Sequence, residues 1–433
     1  MYPNLYYALK DLFGLEIPAL RFVNSFGFFV AVAFLIGAAL LSRELKRKSK
    51  ACLLRPAEEE MMVGQPASPS ELITNFLLGF VLGYKILALF FLGSDASQDP
   101  QAYIFSSQGN LLLGISLGGV FAALKWWEKR KQQLPKPEKR IIRIWPQDRV
   151  GEFTILALIF GILGAKLFDI FENWSDFLKH PAAYIFSPAG LTFYGGLICA
   201  TIAIIIYARK HKISLRHLAD AIAPALMIAY AVGRIGCQVA GDGDWGVYNT
   251  AYTLDANSKV VPASPADFQN TVAANTGYFR TKDTALASLP HASFLKPGAL
   301  SFVPTWFFAY SYPHNVNEDG VPIKGCTDFK YCNQLPQPVF PTPLYELIMG
   351  TLIFFLLWAL RKRLRPFGAV FCLYLIVNGI ERFVVETIRV NNRMNFFGLH
   401  PTQAEVIAVG LVLTGIGLWL YLAKKYNATA TSV

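Results

Sequence analysis

Charged side chains are sparse in this sequence. Asp, Glu, Lys and Arg make up 16% of its 433 residues, whereas soluble domains carry about 25%, and an ordinary soluble globular fold is thereby excluded. Cysteine is sparse too: six in the chain are too few for a disulfide-framed scaffold of this length. No CxxC pair accompanies Cys326 and Cys332, and His314 is the only histidine close to them in sequence, which argues against zinc there. The first 21 residues lack a basic stretch followed by a short apolar core, so a cleaved signal peptide is not expected. Basic residues outnumber acidic ones, giving a net charge of +11. They cluster beside apolar runs, and nucleic acid is not an expected partner.

Hydrophobicity is what the chain has in excess. Apolar residues make up 54% and the mean hydropathy is +0.37, with several runs reaching the ~20 residues that cross a bilayer. Nine spans are expected, at about 22–42, 72–92, 111–127, 151–171, 191–208, 218–240, 342–360, 368–388 and 402–423. The expected fold class is an all-α polytopic membrane protein, with residues 1–433 forming one membrane domain. Loops on one side of these spans hold 25 of the 40 Lys and Arg, the other side 11, and the span interiors four: Lys85, Lys166, Arg234 and Arg382. The rich side is expected to be cytoplasmic, which puts the N-terminus outside and the C-terminus inside.

Residues 1–21 are aromatic and mildly amphipathic and suit an interfacial helix. Residues 43–71, with an EEE run and proline, read as a solvated, partly disordered loop. Residues 241–341 form a large extracytoplasmic loop, too long for a mere connector. Its aromatic string WFFAYSY at 306–312 suits either a membrane-edge groove or a subdomain core. Within that loop, Cys326 and Cys332 are expected to form a disulfide in an oxidising compartment.

An internal repeat runs through the first half. Ala102-Tyr-Ile-Phe-Ser106 recurs as Ala183-Tyr-Ile-Phe-Ser187, 81 residues later, and the same offset aligns Glu71 with Glu152, Gly83 with Gly164 and Lys85 with Lys166. After a short gap Gly118-Gly119 matches Gly195-Gly196. Residues 71–130 therefore read as an extra span pair duplicating 152–210. Repeats also build transporters, which keeps a transport reading open, although both copies here start on the same side.

The candidate site gathers around AVGRIGCQVAGDGDWG at 231–246. Arg234 lies inside the apolar part between Gly233 and Gly236, with Asp242 and Asp244 beyond. A charged side chain at a bilayer centre costs roughly 2.5–3.5 kcal/mol on insertion scales. An arginine there snorkels to the headgroups, or pairs with Asp242, or serves as a fixed fork for a phosphate or carboxylate. Lys166, Asp169 and Glu172 share one end of a span as a local ion-pair ladder or a lined site. Tyr194 precedes Gly195 and Gly196, a pair that permits close backbone approach. PTPLYE at 341–346 brings Tyr345 and Glu346, and Arg382, Glu386 and Arg389 fall on one face of the eighth span. At 1.5 Å per residue, Lys166, Arg234 and Arg382 come out roughly 21–25 Å from the cytoplasmic ends of their spans, in the outer third of the bilayer. An anion held at that depth would be a lipid headgroup or a substrate reached from outside.

These residues carry a likeness. GRIGCQVAGDGDWG resembles the signature of prolipoprotein diacylglyceryl transferases, roughly GRxGNFxNxExxG, and YGGL at 194–197 corresponds to that family's HGGL. PTPLYE and RFVVETIR at 382–389 continue the resemblance, which covers about 151–423 plus the first span. It implies transfer of a diacylglyceryl group from phosphatidylglycerol to the cysteine thiol of a lipobox-containing prolipoprotein. The expected location is a bacterial inner membrane, with the active face extracytoplasmic. By resemblance, Arg234 and Arg382 would bind the phosphate and headgroup, Lys166 stands where the family often has arginine, and Glu386 would hold Arg382. Asp242 or Asp244 replaces the family's glutamate, while Tyr194 replaces its histidine and Cys237 its first asparagine. Arg234, Tyr194, Asp242, Asp244 and Arg382 are thus expected to be catalytic. Lys166, Gly195, Gly196, Gly233, Gly236, Cys237, Tyr345, Glu346, Glu386 and Arg389 are expected to bind substrate. No metal or cofactor is expected. The alternative is an inactive relative that binds phospholipid or lipoprotein in an envelope assembly.

Overall fold

The computed structural model describes residues 1–88, 103, 106–186, 190, 192–282, 286, 289–326, 330–390, 394 and 400–430. Ala102, Ile104, Phe105 and Ser187 of the repeated pentapeptide, and the 89–92 end of the second expected span, lie outside the described residues. The long helices are α1 (Leu5–Phe13), α2 (Ser25–Lys50), α3 (Pro69–Val81), α4 (Leu111–Gln132), α5 (Val150–Glu172), α6 (Phe193–Lys210), α7 (Leu215–Ala240), α8 (Thr342–Leu360), α9 (Ala369–Glu386) and α10 (Gln403–Ala430). Among the described residues, eight helices are long and apolar enough to cross a bilayer, and the chain is an all-α polytopic membrane protein. The remaining expected span, the eighth, corresponds to α9, which has 18 residues but carries Glu381, Arg382 and Glu386 and so stands apart on composition. The chain packs as two compact units, one of residues 1–17, 23–41 and 216–433 and one of 18–22 and 42–215.

In the second unit, α3 pairs with α4 and α5 with α6, each pair antiparallel and seated on glycine. A Cβ on Gly83 would meet the Leu113 carbonyl oxygen at 2.3 Å, and one on Gly164 the Gly195 oxygen at 2.5 Å. Helices in lipid gain little from apolar burial against each other, so small residues that let backbones touch do the packing. The two pairs match in further detail. Lys85 stands 4.9 Å from the Tyr103 ring centre and Lys166 5.4 Å from that of Tyr184. Asn110 N–H donates to the Tyr84 oxygen, as Thr192 N–H does to that of Ala165. In the second helix of each pair the offset grows by one, to 82 residues: Gly114 lies against Phe80 and Tyr84 as Gly196 lies against Gly161 and Ala165, and Gly118 lies one turn further on.

The same unit corrects one expectation. Residues 57–63 are not a disordered loop but strand β1 (Ala57–Val63), paired antiparallel with β2 (Glu138–Ile144). The EEE run meets the basic KRIIR run: Arg143 bonds Glu58 at 3.0 Å, and Arg149 and His211 both bond Glu59. Each segment alone buries too little to fold, and opposite charges across the ladder stabilise the pairing.

In the first unit, α7, α8 and α9 build an apolar core of Ala223, Met227, Phe354, Leu357 and Val370, with Leu40 of α2 packed against it. Buried Asp220 accepts from the backbone N–H groups of Gly368 (2.8 Å) and Phe371 (3.1 Å), capping α9 from a neighbouring helix. The 241–341 loop has its own core, with Tyr248, Phe268, Phe279, Tyr312, Leu335 and Val339 in one cluster and Tyr252, Phe308 and Ala309 in another. Cys326 and Cys332 are disulfide-bonded within it. The WFFAYSY string splits between the two expected roles. Phe308, Ala309 and Tyr312 are buried, while Trp306 is 47% exposed. The N-terminus is tied to the same end of the unit, with the Met1 amine on the Pro313 oxygen and Tyr2 N–H on that of Val239. Helix α1 leaves Leu12 and Phe13 exposed.

Candidate active site

Three arginines from separate segments of the first unit meet on one carboxylate. Glu346, in the second turn of α8, is fully buried. Arg234 Nε of α7 lies 3.0 Å from its Oε2. Arg382 of α9 and Arg389 beyond it lie 3.4 and 3.2 Å from its Oε1. Arg234 also pairs with Asp244, and Arg389 binds the other oxygen of Asp244 at 2.7 Å. Arg382 reaches Glu386 at 3.2 Å. The two aspartates left open by the sequence are thereby told apart, since Asp244, not Asp242, pairs with Arg234.

Local backbone explains why the segments converge. After α7 the chain turns through Gly241 and Gly243, both at positive φ, and Thr342 Oγ1 donates to the Asp244 oxygen at 2.7 Å. Gly246 N–H bonds the Phe340 oxygen and Val247 N–H that of Ile388. The glycine-rich turn is thus stitched to the start of α8 and the end of α9. A Cβ on Gly246 would meet the Ile388 oxygen at 2.5 Å, so only glycine fits. Gly236 packs on Phe26 and Phe29 of α2, while Gly233 has no heavy atom within 4 Å of where a Cβ would sit. Tyr345 donates its hydroxyl to the Phe307 oxygen at 2.7 Å, away from the carboxylate cluster.

Asp242 and Asp244 lie two residues apart in opposite electrostatic settings. Burial pushes the Asp244 carboxyl up, but Arg389 and Arg234 outweigh it and hold it below the usual carboxylate range. Asp242 is raised by burial and then by the charge of Asp244, and its carboxylate accepts the Asp244 N–H at 3.3 Å. Cys237 lies beside them, its Sγ 3.7 Å from Arg234 NH1 and 3.9 Å from Asp244 Oδ2. The thiol and the two carboxylates are within 4.8 Å of one another. Both oxygens of Asp244 face guanidiniums, and the trio carries no metal assignment.

The remaining expected residues belong to the second unit. Lys166 pairs with Asp169 at 3.7 Å and reaches the Gly190 oxygen at 3.4 Å. Tyr194 opens α6 beside Phe193. Gly195 and Gly196 lie against the Gly164 and Gly161 carbonyls and pack α6 on α5. Sequence reading did not single out Glu381, which accepts the Tyr230 hydroxyl at 3.1 Å, or Thr342. The ring of Tyr230 lies 5.1 Å from the Arg234 guanidinium. Glu381, Arg382 and Glu386 together carry three charges on one 18-residue helix, and that density was the available signal.

A polytopic helical protein that pools three guanidiniums where its spans end has the makings of a membrane enzyme for anionic lipid. Its sequence matches the family model for prolipoprotein diacylglyceryl transferase over residues 112–421, and the chain belongs to that family. The match begins inside α4, one helix of the pair read from the sequence as additional. A phosphatidylglycerol–prolipoprotein diacylglyceryl transferase of Dehalococcoides mccartyi is 26% identical over 341 residues, covering 77% of this chain and 98% of that relative. Its namesake in Leptospira interrogans is 26% identical over 283 residues, 60% of this chain and 66% of the relative. That of Shouchella clausii is 25% identical over 312, covering 72% and 83%.

Proposed function

We propose that this protein transfers the diacylglyceryl group of phosphatidylglycerol to the lipobox cysteine thiol of a prolipoprotein, at the extracytoplasmic face of a bacterial inner membrane. The observation that carries this reading is the convergence of Arg234, Arg382 and Arg389 on buried Glu346. Sulfur attacks the glyceryl carbon that bears the phosphate ester, a C–S bond forms, the C–O bond breaks, and glycerol phosphate leaves with the bonding pair. The barrier falls if cations meet the charge that grows on that leaving oxygen. A guanidinium has five N–H donors, more than the carboxylates here engage, so the arginines can grip a phosphate while Glu346 and Asp244 hold them in place. The thiol must also lose its proton, because the thiolate is the nucleophile. Asp242 suits the role of base, since its charge is unmatched by a guanidinium contact among the described residues. Carboxylates in contrasting environments divide acid–base roles in this way. By resemblance, Lys166 stands where the family often has arginine and Tyr194 where it has its histidine.

The test is a purified-protein assay with phosphatidylglycerol and a lipobox peptide, run beside an empty-membrane control and an active family member. Product above control is expected. Intact lipid bound in a native mass spectrum without turnover would instead support the binding-protein reading.

Two variants separate the acid–base assignments. Asp242→Asn is expected to lower kcat by about 10²–10⁴-fold, the usual worth of a positioned base, whereas Tyr194→Phe stays within a few-fold of wild type. A hundredfold loss in Tyr194→Phe would move the proton-transfer role to its hydroxyl. The pH profile adds a sign. A base works deprotonated, and Asp242 is raised, so kcat/KM should climb with pH through a midpoint above the ordinary aspartate value near ~3.9. That limb should vanish in Asp242→Asn.

A further inference from the structure

Most large apolar side chains of the 241–341 loop pack inside it. Among the described residues, those left exposed are Phe294 (46%), Leu295 (57%), Phe302 (80%) and Trp306 (47%), all within one stretch of 13 residues. Both ends of that stretch are pinned. Buried Asn249 exchanges hydrogen bonds with the Phe294 backbone at 2.9 and 3.1 Å. At the other end Phe307 accepts the Tyr345 hydroxyl, and the two rings lie 5.3 Å apart. Tyr345 is the fourth residue of α8, roughly 4.5 Å along the axis from the first. The exposed side chains are therefore carried at the level where a membrane-spanning helix begins.

The backbone between the pins satisfies itself. Short 3-10 turns at Gly298–Leu300 and Thr305–Phe307 each follow a proline, which has no N–H to place. Val303 N–H bonds the Leu300 oxygen at 2.9 Å. The Lys296 ammonium folds back onto the carbonyl oxygens of Ser301 (3.0 Å) and Val303 (2.8 Å). A segment that satisfies its own polar backbone and turns its aromatic rings outward can lie where water is scarce. Tryptophan beside a span end suits the headgroup layer, and phenylalanine the boundary between headgroups and acyl chains.

We propose that residues 294–306 form a wedge seated in the interfacial layer of the bilayer. Phe302 and Trp306 lie among the glycerol and upper acyl carbons of phospholipids on the side that holds the 241–341 loop. This rests on the membrane fold and not on the transfer reaction.

The test uses the full chain in vesicles of phosphatidylcholine and phosphatidylglycerol, plain or brominated at acyl carbons 6 and 7. Subtracting the emission of Trp306→Phe from that of wild type isolates Trp306 among the eight tryptophans. Bromine is expected to remove half or more of that component, while iodide on both faces of the vesicle leaves it nearly intact. Quenching by iodide and not by bromine would overturn the wedge, since the patch would then face water. Protection from both quenchers would overturn it too, by placing the patch against protein. If Trp306→Phe fails to fold, Phe302→Trp adds a tryptophan read by the same subtraction, with the same expected and contrary results.

Discussion

Replacing Arg234 by alanine is expected to lower kcat for diacylglyceryl transfer by about 10³-fold. One well-placed donor to a developing oxyanion is worth about 10²–10³ in rate, and Arg234 presents a fork rather than a single donor. It also positions its neighbours, touching Glu346 through Nε and Asp244 through NH1, so its loss loosens Arg389, which shares both partners. Arg234→Lys is the informative control. Lysine keeps the charge but cannot reach two carboxylates and a phosphate with one planar group, so it should recover only a small part of the activity. The measurement is initial rate against phosphatidylglycerol content at saturating lipobox peptide, which separates kcat from KM. An alanine variant within tenfold of wild type would remove Arg234 from the phosphate clamp.

Much of the fold was legible because membrane spans announce themselves by length and hydropathy. The eight helices that meet those criteria fall on expected spans. Helix α9 is the instructive case, since its three charges set it apart from the other spans in composition while bringing Arg382 and Glu386 to the ion-paired cluster. The ion-paired residues were legible for the same reason. An arginine or glutamate within an apolar run needs a partner, and Arg234, Arg382, Arg389 and Glu346 prove to be partners of one another.

What stayed hidden depends on long-range pairing. Glu58 and Arg143 are 85 residues apart, and no local periodicity tells an acidic run that a basic strand will lie beside it. Glycine was ambiguous in another way: its presence licenses close approach without naming what approaches. Gly195 and Gly236 turn out to admit a helix backbone and two phenylalanines. Asp242 and Asp244 could not be separated by sequence because the turn geometry decides which one faces the guanidiniums.

Glu346 is the residue whose loss should be felt most in stability. It has no exposed surface, and its two oxygens are shared among Arg234, Arg382 and Arg389. Glu346→Gln keeps the shape and removes the charge, leaving three guanidiniums crowded together with only Asp244 and Glu386 to balance them. Deleting one partner of a buried ion pair costs about 3–5 kcal/mol, because the surviving charge stays desolvated and unpaired. A marked fall in the midpoint of thermal unfolding in detergent is therefore expected, and Glu346→Asp, which keeps the charge at shorter reach, should fall less. The same reasoning fixes a second sign. With its carboxylate gone the cluster gains net positive charge, so added glycerol phosphate or phosphatidylglycerol should stabilise Glu346→Gln more than it stabilises wild type. A ligand that binds the folded state must act in that direction if the arginines are the phosphate site. An equal shift in both proteins would mean that the anion binds elsewhere, and the three arginines would then be a structural knot with no part in holding lipid.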